Sequence, residues 1–466
     1  MTAMAAPTAT RAARPPSQAL VDAAVRTGAG LLLWGGLLLV AYWWVVDGGV
    51  QDLEGWATGL TSAGRLCGLT ASVLLLTQVA LMARVPALER AIGQDRLARS
   101  HRLVGFTSFN LMLAHVGLIT WGYAAGELGR VPGTFWDLTV DDPGMLLALA
   151  GTLCLVLVVV TSIRAARGRL RYESWHLLHL YAYLGVGLAL PHQLWTGAQF
   201  TSSPVRTVFW WTAWAAVAAA VLAWRVALPV GRNLRHTLRV ADVVAEAPGV
   251  VSVHLIGRRL DRLPGEAGQF FLWRFLGRPG WTRANPYSLS AAPDGRSLRI
   301  TVQVVGDGSA SLAALQPGAR VLFEGPYGRL SARARTQSKV ALIGAGVGMA
   351  PIRALAEGLV YRPGDAVLLH RYRDEPLFAG EITRLSRERG LRVLALPGPR
   401  RGPGSWTGGQ VAGPVSDLDA LRSWIPDIAE RDVYLCGPSA WADLVRADLQ
   451  LAGVPPERLH LETFGW

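Results

Sequence analysis

Apolar residues fall in long runs as far as about Pro229 and in short, interrupted runs beyond it. A single water-soluble fold would not divide in this way, so the pattern predicts a membrane half followed by a globular half. Six segments of the first half have the length and hydropathy of a spanning helix: about 28–46, 64–83, 101–122, 144–163, 175–194 and 207–228. From Leu238 the period changes to short runs broken by turns: LRVADVVAEAPGVVSVHLIG, GQFFLWRF, SLRITVQVV and ARVLFEG. That predicts a small antiparallel barrel to about Arg335. From Lys339 to Trp466 strand-like runs (KVALIG, AVLLHRY, LRVLAL, DVYLCG) alternate with helical ones, the α/β pattern of a parallel sheet. The expected fold is multidomain. Residues 1–27, rich in Ala, Pro and Thr, form a disordered segment; 28–230 a six-helix transmembrane bundle; 231–335 an antiparallel β-barrel; and 336–466 an α/β domain.

Charge gives the membrane half a direction. Arg84, Arg90, Arg96 and Arg99 lie between spans two and three, Arg164, Arg167, Arg169 and Arg171 between spans four and five, and Arg225, Arg232 and Arg235 after span six. The alternate loops carry Asp47, Asp52 and Glu54, then Glu127, Asp137, Asp141 and Asp142. The positive-inside rule puts both termini and the globular half in the cytoplasm of a bacterial-type plasma membrane, with the spans in lipid. A formal net charge of +13 is accounted for by basic cytoplasmic loops. A nucleic-acid partner is not expected, since no basic face carries reading elements. Cys67, Cys154 and Cys436 make no disulfide framework, and the lack of CxxC and CxxCH argues against iron–sulfur clusters and c-type haem. The first apolar run is long enough to span and has no clear small-x-small cleavage site before Tyr42, so it reads as a span rather than a signal peptide.

Two spans carry histidines: His101 and His115 in the third, and His176, His179 and His192 in the fifth. An ionisable residue inside a spanning helix is costly and marks function by default. His101 and His115 are 14 residues apart, which on a helix is roughly 21 Å of rise, with the rings within about 40° of each other. They face one way at two depths. His179 and His192 are 13 apart, about 140° out of phase on a straight helix. His176 fares no better, so geometry leaves the two open and predicts a distortion near Pro191. Both spans run inside to outside, so His101 and His179 sit near the inner side and His115 and His192 near the outer. Imidazole suits zinc, copper or iron. Two histidines from two helices at each level, without carboxylate or thiol, fit bis-His b-type haem best. Gly105, Ala114, Gly117, Gly185 and Gly187 would let a flat macrocycle approach.

In the globular half Gly344-Ala-Gly346-Val-Gly348-Met-Ala-Pro351 joins a strand to a helix. Its glycines let backbone approach a pyrophosphate at a helix N-terminus. Asn285-Pro286-Tyr287-Ser288-Leu-Ser290, Gly325-Pro-Tyr-Gly328, Gly344 to Pro351 and Cys436-Gly437-Pro438 follow one another in this order. The set resembles the ferredoxin-NADP reductase family. Joined to a six-span, four-histidine domain, the chain from about 28 to 466 resembles the ferric reductase and NADPH oxidase superfamily.

The resemblance implies FAD, two haems b and NADPH, with NADH possible, as cofactors. Tyr287 and Ser288 would contact the flavin. Gly306, Gly308 and Ser309 of GDGSAS would bind its pyrophosphate, and Gly344, Gly346 and Gly348 that of the nicotinamide cofactor. Cys436 would lie near the nicotinamide, and Phe464 or Trp466 would stack on the flavin. Arg373, or alternatively Arg371, would pair with a 2′-phosphate through its planar fork. Asn285 departs from the family's His or Arg, and Arg283 is placed to compensate. The family's spacing in the fifth span favours His179 over His176. The implied activity is transmembrane: NAD(P)H reduces FAD in the cytoplasm, and electrons cross by way of the inner and then the outer histidine level. The acceptor outside would be oxygen, giving superoxide, or a ferric chelate. The alternative is an electron-donor subunit serving a separate periplasmic protein. Arg206, on the last outer loop, would either steer an anion or snorkel.

Overall fold

The structure, a computed structural model, describes residues 16–163, 172–278, 280–409 and 415–463. It divides into two compact units, one of Val21–Ala227 and one that takes Leu228 onward.

The first unit is helical: α1 (Pro16–Val46), α2 (Trp56–Leu81), α3 (Pro86–Ile92), α4 (Gln94–Tyr123), α5 (Val131–Asp141), α6 (Met145–Ser162), α7 (Tyr172–Trp195) and α8 (Pro204–Ala220). Helix α1 begins 12 residues before the expected span (28 − 16), because nothing in SQALVDAAVRT breaks a helix. Among the described residues five helices are long and apolar enough to cross a membrane: Leu20–Val46, Trp56–Leu81, Arg96–Tyr123, Met145–Ser162 and Pro204–His236. Six were expected. Helix α7 has the length, 24 residues, but His176, His179, His192 and Gln193 lower its mean hydropathy. These polar side chains set it apart. The basic residues Arg164, Arg167, Arg169 and Arg171 lie outside the described residues.

Helix α2 is the centre of this unit, with Leu69, Ala71, Val73, Leu74, Leu75 and Leu76 buried. Helix α4 packs along α2, and α6 along α7. Small residues let α6 and α7 approach: a Cβ on Gly151 would lie 2.7 Å from the Gly185 carbonyl oxygen, and one on Gly185 2.9 Å from that of Gly151. Helix α8 starts at Ser203, whose hydroxyl accepts from the Arg206 backbone N–H, with Pro204 at its first turn.

The second unit begins with α9 (Leu228–His236) and six antiparallel strands: β1 (Arg239–Ala247), β2 (Val250–Ile256), β3 (Phe270–Phe275), β4 (Asn285–Ser288), β5 (Ser297–Gln303) and β6 (Val321–Tyr327). They form two sheets, ordered β1-β2-β5 and β4-β3-β6. Bridges at Arg239↔Arg320 and Leu289↔Ile300 link the sheets at both edges. Between them lies one apolar core, including Leu255, Phe271, Trp273, Phe275, Ile300 and Phe323. Alternation of buried and half-buried residues along β6 is what a sheet with one core face requires.

The remainder is a five-stranded parallel sheet of β7 (Val340–Ala345), β8 (Ala366–Arg371), β9 (Arg392–Leu396), β10 (Asp432–Gly437) and β11 (Leu459–Thr463), ordered β11-β10-β7-β8-β9. Helices α10 (Met349–Gly358), α11 (Ala379–Arg389), α12 (Asp417–Trp424) and α13 (Ser439–Leu451) connect it. Strands β7, β8 and β10 are buried throughout, as parallel strands covered on both faces must be. Strand order reverses between β7 and β10. A crevice at the carboxyl ends of the strands is expected at that point.

Candidate functional site

His101 and His115 project from α4, and His179 and His192 from α7. The His101 and His179 rings meet edge-on, with centroids 6.1 Å apart and planes 68° from parallel, between the α2–α4 and α6–α7 pairs. His192 lies within electrostatic range of His115. The inner pair meets although α7 runs as helix through Pro191. His192 Nδ1 reaches back one turn to the Ala189 carbonyl at 2.6 Å.

Each Nδ1 is engaged. His101 Nδ1 sits 3.1 Å from the Gln78 carbonyl, His115 Nδ1 2.8 Å from that of Gly64, and His179 Nδ1 3.4 Å from the Ser162 hydroxyl. A ring that gives its Nδ1 proton to a carbonyl presents Nε2 as an unprotonated ligand. Two metal–nitrogen bonds of ~2 Å, with about 1 Å more from each nitrogen to its ring centre, would separate paired rings by roughly 6 Å. The 6.1 Å separation fits that arrangement. Among the described residues no group of three or more His, Cys, Asp and Glu could hold a metal ion. Leu75, Leu155, Val186, Phe109, Met112, Ala182 and Trp214 pack together, and those on α4 and α7 fall in sequence between the two histidine levels. The small residues divide by role. Gly105 abuts Gln78 and Gly185 abuts α6, whereas Gly117 and Gly187 face open space. Gly68, not singled out by the sequence, makes room for His115: a Cβ there would lie 2.6 Å from Nδ1.

Arg206 is engaged within the protein. It is buried and grips Asp47 with two nitrogens, one at 2.8 Å, and also donates to Gln199 and Ser202. Its guanidinium lies 5.3 Å from the Trp43 ring centre.

In the strand-rich part Tyr287 and Ser288 end β4, where the Tyr287 carbonyl accepts from Trp273 Nε1 at 2.9 Å. Ser288 Oγ is buried without a protein partner, the state expected of a hydroxyl that serves a ligand. Asn285 and Pro286 begin the same strand. Ser309 Oγ is taken up by its own turn, accepting from Val305 N at 2.9 Å and donating to the Gly306 carbonyl at 2.9 Å. Gly306 has open space where a Cβ would be, and Gly308 lies against Arg283 Nη1. Arg283, and Arg278, which donates to the Gly308 carbonyl at 2.6 Å, bring positive charge to this turn. Both act electrostatically on the Tyr287 hydroxyl. Arg278 carried no sequence signal, because it stands outside every motif.

At the carboxyl end of the parallel sheet Cys436, Gly344 and His370 lie side by side in register. The three glycines of the turn do different things. A Cβ on Gly344 would strike Met349 Sδ at 2.4 Å, and one on Gly348 the Cys436 carbonyl oxygen at 2.4 Å. These two permit close packing of turn, helix and Cys436-Gly437-Pro438. Gly346 has φ +54 and open space beside it, the conformation and clearance that backbone approach to a phosphate needs. Pro351 lies buried in the first turn of α10. His370 Nε2 is buried without a protein partner, and burial lowers the His370 pKa to about 4, so the ring is neutral. Cys436 is fully buried beside Glu462, and burial first, then that carboxylate, push its thiol pKa well up. Glu462 was not anticipated. Arg373 is exposed at the end of β8. Arg371 donates to the carbonyls of Leu396 and Gly398 at 2.9 and 2.6 Å, so it is spent on the fold. Phe464 and Trp466 lie outside the described residues.

Residues 67–190 match the family described as ferric reductase like transmembrane component. The globular half is 30% identical over 240 residues to the ferredoxin–NAD(+) reductase component of an alkene monooxygenase system from Xanthobacter autotrophicus, covering 49% of this chain and 70% of that protein. The chain belongs to the ferredoxin-reductase-like oxidoreductases. Its particular form joins that FAD- and NAD-binding half to a ferric reductase-like membrane half. A flavohemoprotein of Deinococcus radiodurans is 32% identical over 249 residues, where the chain spans 51% of its own length and 61% of the relative. Among solved structures, the ferredoxin reductase in carbazole 1,9a-dioxygenase matches at 24% identity with a TM-score of 0.40, over 49% of this chain and 67% of that one.

Proposed function

We propose that the chain is a transmembrane oxidoreductase carrying electrons from cytoplasmic NAD(P)H to a small acceptor outside the membrane, oxygen or a ferric chelate. Its domains are read as a haem-binding bundle of six spans over 28–230, with α7 as the fifth, an FAD-binding β-barrel over 231–335 and an NAD(P)-binding domain over 336–466. Both termini lie in the cytoplasm. The observation that carries this reading is the pair of histidine levels with Nδ1 tethered, in one chain with a ferredoxin-reductase-like half.

His101 with His179, and His115 with His192, would each hold one b-type haem, which supplies reversible one-electron transfer when bound. FAD supplies the step from a hydride pair to single electrons. The chain does the rest. The Gln78, Gly64 and Ala189 carbonyls and the Ser162 hydroxyl orient the imidazoles. Tyr287 and Ser288 bind the flavin ring. Gly306, Gly308 and Ser309 shape its pyrophosphate site, and Arg278 and Arg283 supply the charge. Gly346 offers backbone to the nucleotide, with Gly344, Gly348, Pro351, Gly437 and Pro438 holding the turn against β10. Cys436, kept as a neutral thiol by burial, borders the nicotinamide. Arg373, exposed and uncommitted to a carbonyl of its own sheet, favours NADPH, while Phe464 or Trp466 covers the flavin.

Purified protein supplied with FAD and NADPH, without oxygen, is expected to show reduced b-type bands. Their absence overturns the reading. His115→Ala should remove the outer centre and leave flavin reduction intact. Comparing oxygen consumption with reduction of a ferric chelate identifies the acceptor.

A further inference from the structure

A cluster of four buried or half-buried charges joins the flavin-bearing strands to the nucleotide-bearing helices. It lies apart from every residue assigned above. Arg299, on β5, is buried and forms two parallel bonds to Glu381 of α11, at 2.7 and 3.0 Å. The same guanidinium donates to Ser290 Oγ at 3.1 Å and to the Ser290 carbonyl at 2.9 Å. Arg353, on α10, is 3% exposed. It donates to that same carbonyl at 3.1 Å, grips Glu357 at 2.6 and 3.0 Å, and lies 2.5 Å from Glu381 Oε2. Glu357 in turn accepts from the Ala292 N–H at 2.8 Å. Charge is balanced, two guanidinium groups against two carboxylates. Burial opposes ionisation of Glu381, yet Arg299 and Arg353 hold its carboxyl below the usual range.

The cluster is placed where small movements matter. Ser290 follows Ser288 by two residues, and Arg353 follows Gly348 by five. Both cofactor-bearing segments end on the same two arginines. The contact is also close in the backbone: a Cβ on Gly358 would lie 2.6 Å from the Cβ of Ala267. Parallel guanidinium–carboxylate pairs fix direction as well as distance, and buried charges tolerate no loosening without loss of compensation. Hydride transfer needs reacting atoms near van der Waals contact, and about 1 Å of misplacement costs up to ~100-fold in rate.

We infer that Arg299, Arg353 and Glu381 are positioning residues that set the nicotinamide against the flavin through Ser290 and α10. This rests on reading the globular half as the reductase that passes hydride from NAD(P)H to FAD. The test uses the full-length, FAD-loaded protein and follows flavin bleaching in stopped flow without oxygen. Glu381→Gln should lower the limiting rate of flavin reduction at saturating NADPH by tenfold or more. The apparent affinity for NADPH and the FAD content should stay within about twofold. The primary isotope effect with 4-deuterated NADPH should rise, and reduction by dithionite should not change. Arg299→Lys keeps the charge and loses the parallel pair, so it should give a smaller loss of the same kind and serves if Glu381→Gln fails to fold. Exchanging the partners, Arg299→Glu with Glu381→Arg, should restore part of the rate. An unchanged limiting rate and isotope effect in a folded variant overturns the inference, even if thermal stability falls. A wild-type flavin that NADPH does not reduce would instead overturn the reductase reading.

Discussion

His115 illustrates how a single side chain is held in place by the chain around it. Its Nδ1 is tied to the Gly64 carbonyl at 2.8 Å, and its ring occupies space that Gly68 leaves empty. A larger residue at 68 has no room unless the ring moves. Gly68→Val should therefore reduce b-type absorbance per protein by about half while α2 remains helical, and the loss should match that of His115→Ala. Normal haem content in Gly68→Val would show that the ring can be displaced without penalty. His179 and His176 separate in the same assay. His179 faces His101 at 6.1 Å between centroids, so His179→Ala should remove the inner centre and His176→Ala should leave both. The two histidines differ in sequence by three positions only. What distinguishes them is the ring across the gap.

At the scale of elements, the α6–α7 crossing fixes where the second histidine helix stands. Gly151 and Gly185 bring the two backbones together with no space for a methyl group. Gly185→Leu should force the helices apart. Overpacking of this kind costs about 1–3 kcal/mol, read as a lower thermal midpoint in detergent. It should also weaken both centres at once, because His179 and His192 lie on either side of the crossing on one helix. A variant with normal haem content and only a lower midpoint would mean that α7 is held elsewhere. The Arg206–Asp47 pair is a second fastening, joining the end of α1 to the start of α8.

Across the whole molecule, the parallel sheet is locked at its N-terminal edge by Asp427, which accepts from Lys339 at 2.7 Å and from Arg431 at 2.7 and 3.0 Å. Partial burial pushes its pKa up, but the bonds from Arg431 and Lys339 outweigh this and hold it at about 2. A carboxyl whose folded-state pKa lies below its unfolded value stabilises the fold above the unfolded value. That contribution disappears as pH falls through the folded one. Asp427→Asn should lower stability at pH 7 by of order 1 kcal/mol, after allowance for solvent screening. The gap to wild type should close between about pH 4 and pH 2, as measured by denaturant midpoints. A gap that persists unchanged at pH 2 would assign the effect to packing. Hydropathy, strand periodicity and motif order are local properties, and the sequence determined by itself that a membrane half precedes a ferredoxin-reductase-like half. It also determined that His101 and His115 share a face, because helical phase depends on spacing alone. Only tertiary structure decided which histidine of α7 meets His101, that Arg206 is committed to Asp47, that Arg371 is spent while Arg373 is exposed, and that Arg353 and Glu381 bridge the two cofactor-bearing segments. Each of those outcomes depends on side chains from distant parts of the chain converging in space, and no local pattern records where a folded chain returns to itself.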